Sequence, residues 1–350
     1  MRSKSPHLTA RELMILIFLC ASFILGAEDK AMLISSETGF RFNTFENAEG
    51  SSKWLTGESV YADISARSGN SLVISARLES DFSGTPVIAD KALRELSLSW
   101  APLSTAVITV GKQNLKWGTA RVFSSIDGLS PPLDPLNPAG TDRGVTGIRA
   151  DLIPTWWMSA SLLALPAPEL NDTRLALRTE FLAGETDLSA GAIRAVNADG
   201  DEEPAFFADA ARFFDRFGVY GEARIVKKSE WEPSVTGGLQ IDVPVWLNGT
   251  LTFLGEYRWQ RDNKSASHMF YTGLSGLPLS RKLLAGASLL AAPEADQAVA
   301  GANLNWTINQ SMSANLAYEY LFDTLGGSEP LIPVFTDKRH KVSAGVTAYY

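Results

Sequence analysis

The sequence predicts an all-β protein: a transmembrane antiparallel β-barrel of about 18 strands, or 16 as the alternative, with one inward-folded loop. Three observations predict this class. An apolar export-type segment opens the chain, the remainder alternates in polarity with a period of two residues, and the final segment alternates and stops on an aromatic residue. The strands of such a barrel present one face to lipid and the other to a lumen.

Residues 1–27 are predicted to form a secretory signal peptide. Basic residues precede the apolar run Leu13–Leu25, and small residues follow it. This run is too short for a comfortable membrane span, and an uncleaved N-terminal anchor is the alternative. Residues 28–350 then form a single barrel domain. Cys20 is the only cysteine, which excludes a disulfide scaffold and a cysteine-ligated metal site.

Alternating segments of strand length fill the rest of the chain, and no stretch has the periodicity of an amphipathic helix. From Leu251 to Trp259 the odd positions are apolar or glycine, whereas Glu256 and Arg258 lie on the opposite face. An even number of strands would leave both chain ends on the periplasmic side. The predicted strands are approximately 35–46, 56–67, 69–80, 90–100, 104–116, 143–152, 156–165, 172–182, 185–195, 203–213, 216–227, 233–242, 247–259, 266–275, 280–291, 297–307, 311–322 and 339–350.

The same alternation occurs in water-soluble β-sandwiches, and three features favour the barrel instead. Aromatic residues such as Trp100, Trp246 and Trp306 lie at segment ends, where the membrane interfaces would be. The apolar face is often built only of Ala, Gly, Leu or Val, whereas a sandwich core packed to normal density would need bulkier residues. Short turns alternate with longer polar connections, as in outer-membrane barrels.

The chain ends in the alternating segment Lys341–Tyr350. This segment resembles the C-terminal strand of Gram-negative outer-membrane proteins, which their assembly machinery recognises. The resemblance implies that the strand ending at Tyr350 engages this machinery and that the protein lies in the bacterial outer membrane. Its further partners would be the lipid bilayer and the lipopolysaccharide, or an equivalent lipid, of the outer leaflet.

Charged residues that alternate with apolar neighbours are predicted to line a water-filled lumen, because a cation facing the bilayer midplane costs about 2–4 kcal/mol. Arg174 and Arg178 flank the small Ala176, and we expect them to leave basic surface open to a solute. For the other charges, a salt-bridged wall that only supports the barrel is the alternative. The predicted pore-lining residues are Arg149, Arg174, Arg178, Glu180, Arg224, Glu256 and Arg258.

One connection, Trp117–Asp142, is long, rich in proline and partly apolar. Loops of this length are usually functional, and an inward fold that narrows the channel would explain the apolar content. An external loop packed over the rim is the alternative. Opposite charges near the ends and the tip of this connection would set up an electric field across the channel. The alternation of side chains along the strand, however, places Lys112 and Lys116 on the outer face. The predicted constriction residues are Arg121, Asp127, Asp134 and Arg143.

A resemblance to a known family appears in the run Gly111–Leu136, GKQNLKWGTARVFSSIDGLSPPLDPL. It resembles a motif of porin-like bacterial outer-membrane proteins. In that family a strand ends in the tripeptide Gly-Arg-Gln or Gly-Lys-Gln. A Trp-Gly pair follows, and then a loop that contains Pro and Asp. The similarity extends to Arg149 and includes the two chain ends. It implies a channel and says little about the solute.

The sequence therefore predicts an outer-membrane channel for passive diffusion of small hydrophilic solutes, with a mild anion bias. The alternatives are an outer-membrane barrel enzyme of the phospholipase or protease type and a structural or adhesive surface protein. We expect no catalytic site, because neither His268 nor His340 has a nucleophile pattern beside it. We also expect no cofactor and no metal. The net charge of −8 argues against a nucleic-acid partner.

Overall fold

The fold comes from a computed structural model of the chain. It describes residues 37–47, 57–68, 72–81, 93–126, 129, 144–167, 172–196, 201–245, 249–262, 265–310, 312–323 and 338–349. The predicted signal peptide and Tyr350 lie outside these ranges, so the cleavage site and the assembly role of the last residue stay predictions. Within the ranges, no helix is long and apolar enough to cross a membrane.

β-Strands make up nearly all of the described secondary structure. The strands are β1 Glu37–Asn47, β2 Gly57–Ser68, β3 Leu72–Asp81, β4 Leu93–Leu103, β5 Ala106–Gln113, β6 Val145–Thr155, β7 Met158–Leu165, β8 Arg174–Ala183, β9 Thr186–Val196, β10 Glu202–Phe214, β11 Phe217–Lys227, β12 Trp231–Val245, β13 Gly249–Arg261, β14 Ala266–Ser280, β15 Leu283–Ala292, β16 Gln297–Asn309, β17 Met312–Asp323 and β18 Lys338–Tyr349. One turn of 3-10 helix, Pro293–Ala295, connects β15 to β16.

These strands form one antiparallel sheet in which each strand pairs with its neighbours in sequence. The sheet closes on itself, because β1 pairs with β2 on one side and with β18 on the other. In the closing pair Glu37 lies opposite Tyr349, and the register continues to Glu46 opposite His340. Closure leaves no free sheet edge, as a strand structure in lipid requires. The predicted all-β antiparallel barrel is confirmed.

The two rims of the barrel differ in the length of their connections. The turn from β6 to β7 spans Thr155–Met158, the turn from β8 to β9 spans Ala183–Thr186, and the turn from β10 to β11 spans Phe214–Phe217. The connections at the opposite rim are longer, above all the one between Gln113 and Val145. We call these ends the short-turn rim and the long-connection rim. The predicted alternation of short and long connections is confirmed.

The two faces of the wall differ in polarity, as β6 illustrates. Ile148 and Leu152 are 49% and 55% exposed on the outer face. Between them, Arg149 and Asp151 point inward, and Nε of Arg149 lies 2.9 Å from Oδ2 of Asp151. Exposed leucine, phenylalanine and tryptophan side chains continue this outer face around the described wall. An apolar outside and a charged inside fit a barrel that lipid surrounds.

Candidate functional site: a lumen crossed by the β5–β6 connection

The connection between β5 and β6 enters the barrel. Residues 114–126, 129 and 144 of this connection are described, and residues 114–126 and 129 are called the lumen segment below. Val122, Phe123 and Ile126 in the segment are almost fully buried. Its hydrogen-bond partners are inward-facing residues of β11, β12 and β13. The inward fold predicted for Trp117–Asp142 is therefore confirmed for the part that the structure describes.

Glu256 on β13 is the main polar attachment of the lumen segment. Its carboxylate accepts hydrogen bonds from the backbone N–H groups of three consecutive residues, Arg121, Val122 and Phe123. The N–O distances are 2.9 Å for Val122 and 2.8 Å for Phe123. The hydroxyl of Tyr220 donates a further bond of 2.6 Å to the same carboxylate. Hydrogen bonds to a charged acceptor are stronger than neutral ones, so this group fastens the segment firmly.

Glu222 on β11 holds the flanking residues. Its carboxylate accepts backbone N–H groups from Ala120, at 2.6 Å, and from Ser125, at 2.8 Å. Gly118 has a positive φ of 100°, and a Cβ built there would lie 2.2 Å from Oε1 of Glu222. Only glycine avoids both the backbone strain and this overlap. The Trp-Gly pair of the family-like motif therefore has a local structural reason.

Thr236 on β12, between the two carboxylates, completes the attachment. Its hydroxyl donates to the carbonyl oxygen of Phe123 at 2.7 Å, and the hydroxyl of Ser125 lies 2.6 Å away. Glu222 pairs directly with Thr236 across β11 and β12. Three neighbouring strands thus supply partners for five backbone N–H groups and one carbonyl oxygen of the segment, because buried backbone groups need hydrogen bonds.

Apolar contacts hold the lumen segment to two other parts of the wall. Leu115, Trp117, Ile126 and Leu129 form one buried cluster with residues of β7 to β10, where the ring centroids of Trp117 and Phe207 are 5.9 Å apart. Val122 and Phe123 belong to a second cluster on the far side of the lumen. The wall residues of this second cluster, from β14 to β17, are Tyr271, Leu290, Val299 and Leu321. The segment therefore crosses the lumen from its origin at β5 to nearly opposite strands.

A cavity of about 560 Å³ lies between the lumen segment and the short-turn rim. Aromatic side chains at its edge include Trp156 in the β6–β7 turn and Phe213 on β10, and both are exposed. The charged residues that line it are Lys116, Arg121, Arg178, Glu180, Asp187 and Asp209. The cavity is therefore polar and charged along the walls and aromatic near the rim.

The cavity charges are only partly paired. Arg178 lies 3.1 Å from Glu180 and 3.7 Å from Asp209, so two carboxylates compensate its charge. Asp209 also accepts a hydrogen bond from the hydroxyl of Ser189. Lys116 and Arg121, on the lumen segment, are exposed to the cavity, and no described carboxylate forms an ion pair with either. The segment thus presents a basic surface to the cavity.

The predicted pore-lining residues all belong to inward-facing positions, but their surroundings differ. Arg149 pairs with Asp151, and Arg258 donates to Oε1 of Gln260 at 2.6 Å. Arg224 is partly buried, and Arg174 is exposed at the long-connection end of β8. Arg178 and Glu180 line the cavity. Glu256 faces inward as predicted, but the lumen segment covers it, so it contacts backbone N–H groups and not the open pore.

Two details differ from the sequence-based expectation. Ala176, between Arg174 and Arg178, is buried under the apolar cluster of the lumen segment, so the surface around it is not open. Lys116 lines the cavity and does not lie on the outer face, because β5 ends at Gln113 and the chain has already left the wall. Of the predicted constriction residues, Arg121 lines the cavity, whereas Asp127, Asp134 and Arg143 lie outside the described residues.

Glu222 and Asp209 face the lumen as the sequence predicts, but neither was assigned a role in the predicted site. The alternation of polarity places both on the lumen side. Nothing in the sequence of β11, however, shows that Glu222 accepts hydrogen bonds from backbone N–H groups about 100 residues earlier in the chain. No group of three His, Cys, Asp or Glu side chains in the described part of the chain could hold a metal ion.

Solved outer-membrane proteins share this fold. Wzi of Escherichia coli, an outer-membrane protein involved in group 1 capsule assembly and described as a carbohydrate-binding β-barrel, superimposes with a TM-score of 0.63 at 13% identity; the match covers 99% of this chain and 90% of Wzi. OpdK of Pseudomonas aeruginosa, solved with vanillate, gives 0.60 at 8% identity, covering 91% and 98%. OmpT of Vibrio cholerae, in a trimer form, gives 0.51 at 11% identity, covering 91% and 100%.

No protein-family model and no curated protein matches the sequence. At identities this low the structural matches establish the fold alone. The apolar outer face of the closed sheet is the surface that lipid contacts in such a barrel. The chain thus has the fold of the bacterial outer-membrane β-barrels to which it is similar, and this fold agrees with the outer-membrane location predicted from the sequence.

Proposed function

We propose that this barrel is an outer-membrane channel for passive diffusion of small hydrophilic solutes, and that the lumen segment sets its width. The observation that supports this proposal is the attachment of the segment to Glu222 and Glu256, which leaves a charged cavity on one side of it. Solutes pass beside the segment and not through a fully open barrel. Low-dielectric walls strengthen the field that such charges exert on a solute.

We further propose a mild anion bias. Arg178 is compensated by Glu180 and Asp209, whereas Lys116 and Arg121 have no such partner among the described carboxylates. Glu180 and Asp187 are exposed acids at the cavity, so its three cations and three carboxylates sum to zero, and the proposed bias depends on the two cations that the lumen segment presents to the solute path. The structural neighbour OpdK was solved with vanillate, an anion, which agrees with this direction.

A carbohydrate-binding barrel is the second candidate function. This function is favoured because the lumen segment crosses the lumen and is held there by both polar and apolar contacts. Such an arrangement obstructs the passage of solutes. The exposed Trp156 and Phe213 at the cavity provide flat apolar surfaces beside polar groups. The neighbour Wzi is described as a carbohydrate-binding β-barrel.

We also propose that the protein is not an enzyme. His268, the histidine of the two candidates whose side chain is described, lies on the outer face. Its Nδ1 is 2.7 Å from the hydroxyl of Tyr257, and its Nε2 is 3.7 Å from Glu294. Replacing His268 and His340 with alanine should leave solute passage unchanged. A hydrolase activity that disappears in this double variant would instead establish the enzyme.

Conductance of the purified protein in planar bilayers distinguishes the channel from the binding barrel. The proposed channel conducts in the wild type, and deletion of Ser124–Pro138 raises the single-channel conductance because the obstruction is removed. A chloride-directed reversal potential in a KCl gradient would support the anion bias. A wild type that does not conduct, but binds oligosaccharide in a titration, would favour the binding barrel and contradict the channel.

A further inference from the structure

The lipid-facing wall contains a groove of about 570 Å³ across β11 to β15. Tyr257 and Phe270 belong to the outer face here, since Glu256 and Tyr271 beside them point inward. The groove therefore opens toward lipid and not toward the lumen. The apolar residues that form its sides are Val219, Leu239, Phe253, Tyr257, Phe270 and Leu289.

Outward-facing glycines form the floor of this groove. A Cβ built on Gly237 would meet no atom within 4 Å, and one on Gly255 would have its nearest neighbour, Cε1 of Phe253, at 3.7 Å. A larger residue would therefore fit both positions without a clash inside the protein. Glycine within a strand is destabilising by about 0.5–1 kcal/mol relative to alanine. Packing within the wall does not explain why glycine occupies these positions.

Inward-facing glycines in the same strands show the contrast. A Cβ on Gly238 would lie 2.4 Å from the ring of Tyr220, and one on Gly273 would lie 2.6 Å from the hydroxyl oxygen of Tyr271. These two glycines are explained by the aromatic side chains that lie across them. A strand glycine without such a neighbour often marks the close approach of a ligand. The outer face at Gly237 and Gly255 meets that description.

Basic residues lie above the groove, toward the long-connection rim. Lys227 ends β11, and its Nζ lies 5.8 Å from the ring centroid of the exposed Trp231. Arg261 ends β13 and is exposed. Both occupy strand positions that face outward, as the groove residues do. Neither forms an ion pair with a carboxylate of the described chain. Tryptophan beside a cation is typical of the headgroup level of a membrane.

We propose that this surface binds one phosphorylated lipid of the leaflet at the long-connection rim. One acyl chain occupies the groove over Gly237 and Gly255, and the phosphate lies against Lys227 and Arg261. Trp231 and Gly237 are six residues apart on β12, which is about 20 Å along an extended strand. This distance suits a lipid whose polar headgroup lies near Trp231 and whose hydrocarbon chain reaches Gly237. A lipid, unlike a second copy of this chain, supplies both the narrow apolar rod and the anion that the two parts require.

Native mass spectrometry of the detergent-purified protein, with bisphosphorylated lipid A added, tests this site. The wild type should retain one lipid, and Gly237→Leu with Gly255→Leu should weaken retention by about tenfold because the groove is filled. Ala302→Leu is the control, since it adds the same side chain to the outer face of β16, away from the groove. Heat-modifiable gel mobility checks that each variant is folded.

A second variant tests the polar part without filling the groove. Lys227→Ala with Arg261→Ala should abolish the preference for bisphosphorylated over dephosphorylated lipid A and leave the barrel folded. Equal lipid retention in the wild type and in both variants would overturn the proposal. A groove variant that loses an oligomer and keeps its lipid would overturn it too, in favour of a second copy at this surface. The outcome is independent of conductance, so failure here leaves the channel proposal standing.

Discussion

Two parts of the lumen wall carry charged residues at similar depth but use them differently. On β11 and β13, Glu222 and Glu256 direct their oxygens to backbone N–H groups of the lumen segment. On β8 and β10, Arg178 and Asp209 interact with each other and border the cavity. The first part positions the obstruction, and the second part contacts what passes it. The comparison shows that an inward-facing charge in a barrel need not face the solute.

Loss of Glu256 should have the largest effect. In Glu256→Ala the N–H groups of Val122 and Phe123 lose a charged acceptor, and each unsatisfied buried group costs about 1–3 kcal/mol. We expect the lumen segment to detach and the single-channel conductance to rise toward that of the Ser124–Pro138 deletion. Glu185→Ala is the control, because Glu185 pairs with Arg212 outside the lumen. Unchanged conductance in Glu256→Ala would remove this residue from the attachment.

Gly118→Ala should have the next largest effect, because the added Cβ would overlap Oε1 of Glu222. We expect higher conductance with more noise, and a lower temperature for the heat-modifiable gel shift. Gly184→Ala is a matched control, since Gly184 also has a positive φ, 67°, but no atom lies within 4 Å of its Cβ position. Equal effects of both variants would mean that backbone strain, and not contact with Glu222, explains the result.

Arg178→Ala should change ion selectivity more than conductance. It removes the cation between Glu180 and Asp209 and leaves two carboxylates near the cavity. We expect the chloride-to-potassium permeability ratio to fall by about twofold, which corresponds to about 0.4 kcal/mol. Reversal potentials in a KCl gradient measure this ratio. Arg174→Ala, at the exposed end of the same strand, is the comparison, and an equal shift in both variants would contradict a special role for the cavity.

Tyr220→Phe should have the smallest effect of the series. It removes one hydrogen bond of 2.6 Å to Glu256 but leaves the backbone donors of the lumen segment in place. The expected loss is about 1–2 kcal/mol in the free energy of unfolding, measured by urea titration in vesicles, with conductance unchanged. A large rise in conductance would show that Tyr220, and not the segment itself, holds the carboxylate in position.

The wall was predictable from the sequence, whereas the attachment of the lumen segment was not. Alternation identifies Arg149, Arg178 and Glu256 as inward because side chains in a strand point to opposite faces in turn. The same rule was wrong for Lys116. Leu115 and Trp117 continue the period of two after β5 has ended at Gln113, so the pattern assigned Lys116 to the outer face although this residue no longer belongs to the wall. An extended segment keeps its period when it leaves a sheet.

The partners of Glu222 and Glu256 could not be predicted because they are backbone groups. Every residue except proline carries an N–H, so the sequence of the segment contains no sign of the carboxylate that it meets. The positive φ of Gly118 was also not predicted, because the family-like motif contains the Trp-Gly pair but gives no backbone conformation for it. The paired wall charges around Arg178 likewise depend on strand register, which the sequence leaves open.

The most direct test of the account is a disulfide between the lumen segment and the wall. The hydroxyl oxygens of Ser125 and Thr236 are 2.6 Å apart, so Ser125→Cys with Thr236→Cys should oxidise readily in the assembled barrel. Ser99→Cys with Thr109→Cys, whose hydroxyl oxygens are 3.0 Å apart on paired strands, is the positive control. The account predicts that both pairs cross-link and that the locked segment conducts like the wild type. Cross-linking of the control pair alone would contradict the placement of the segment in the lumen.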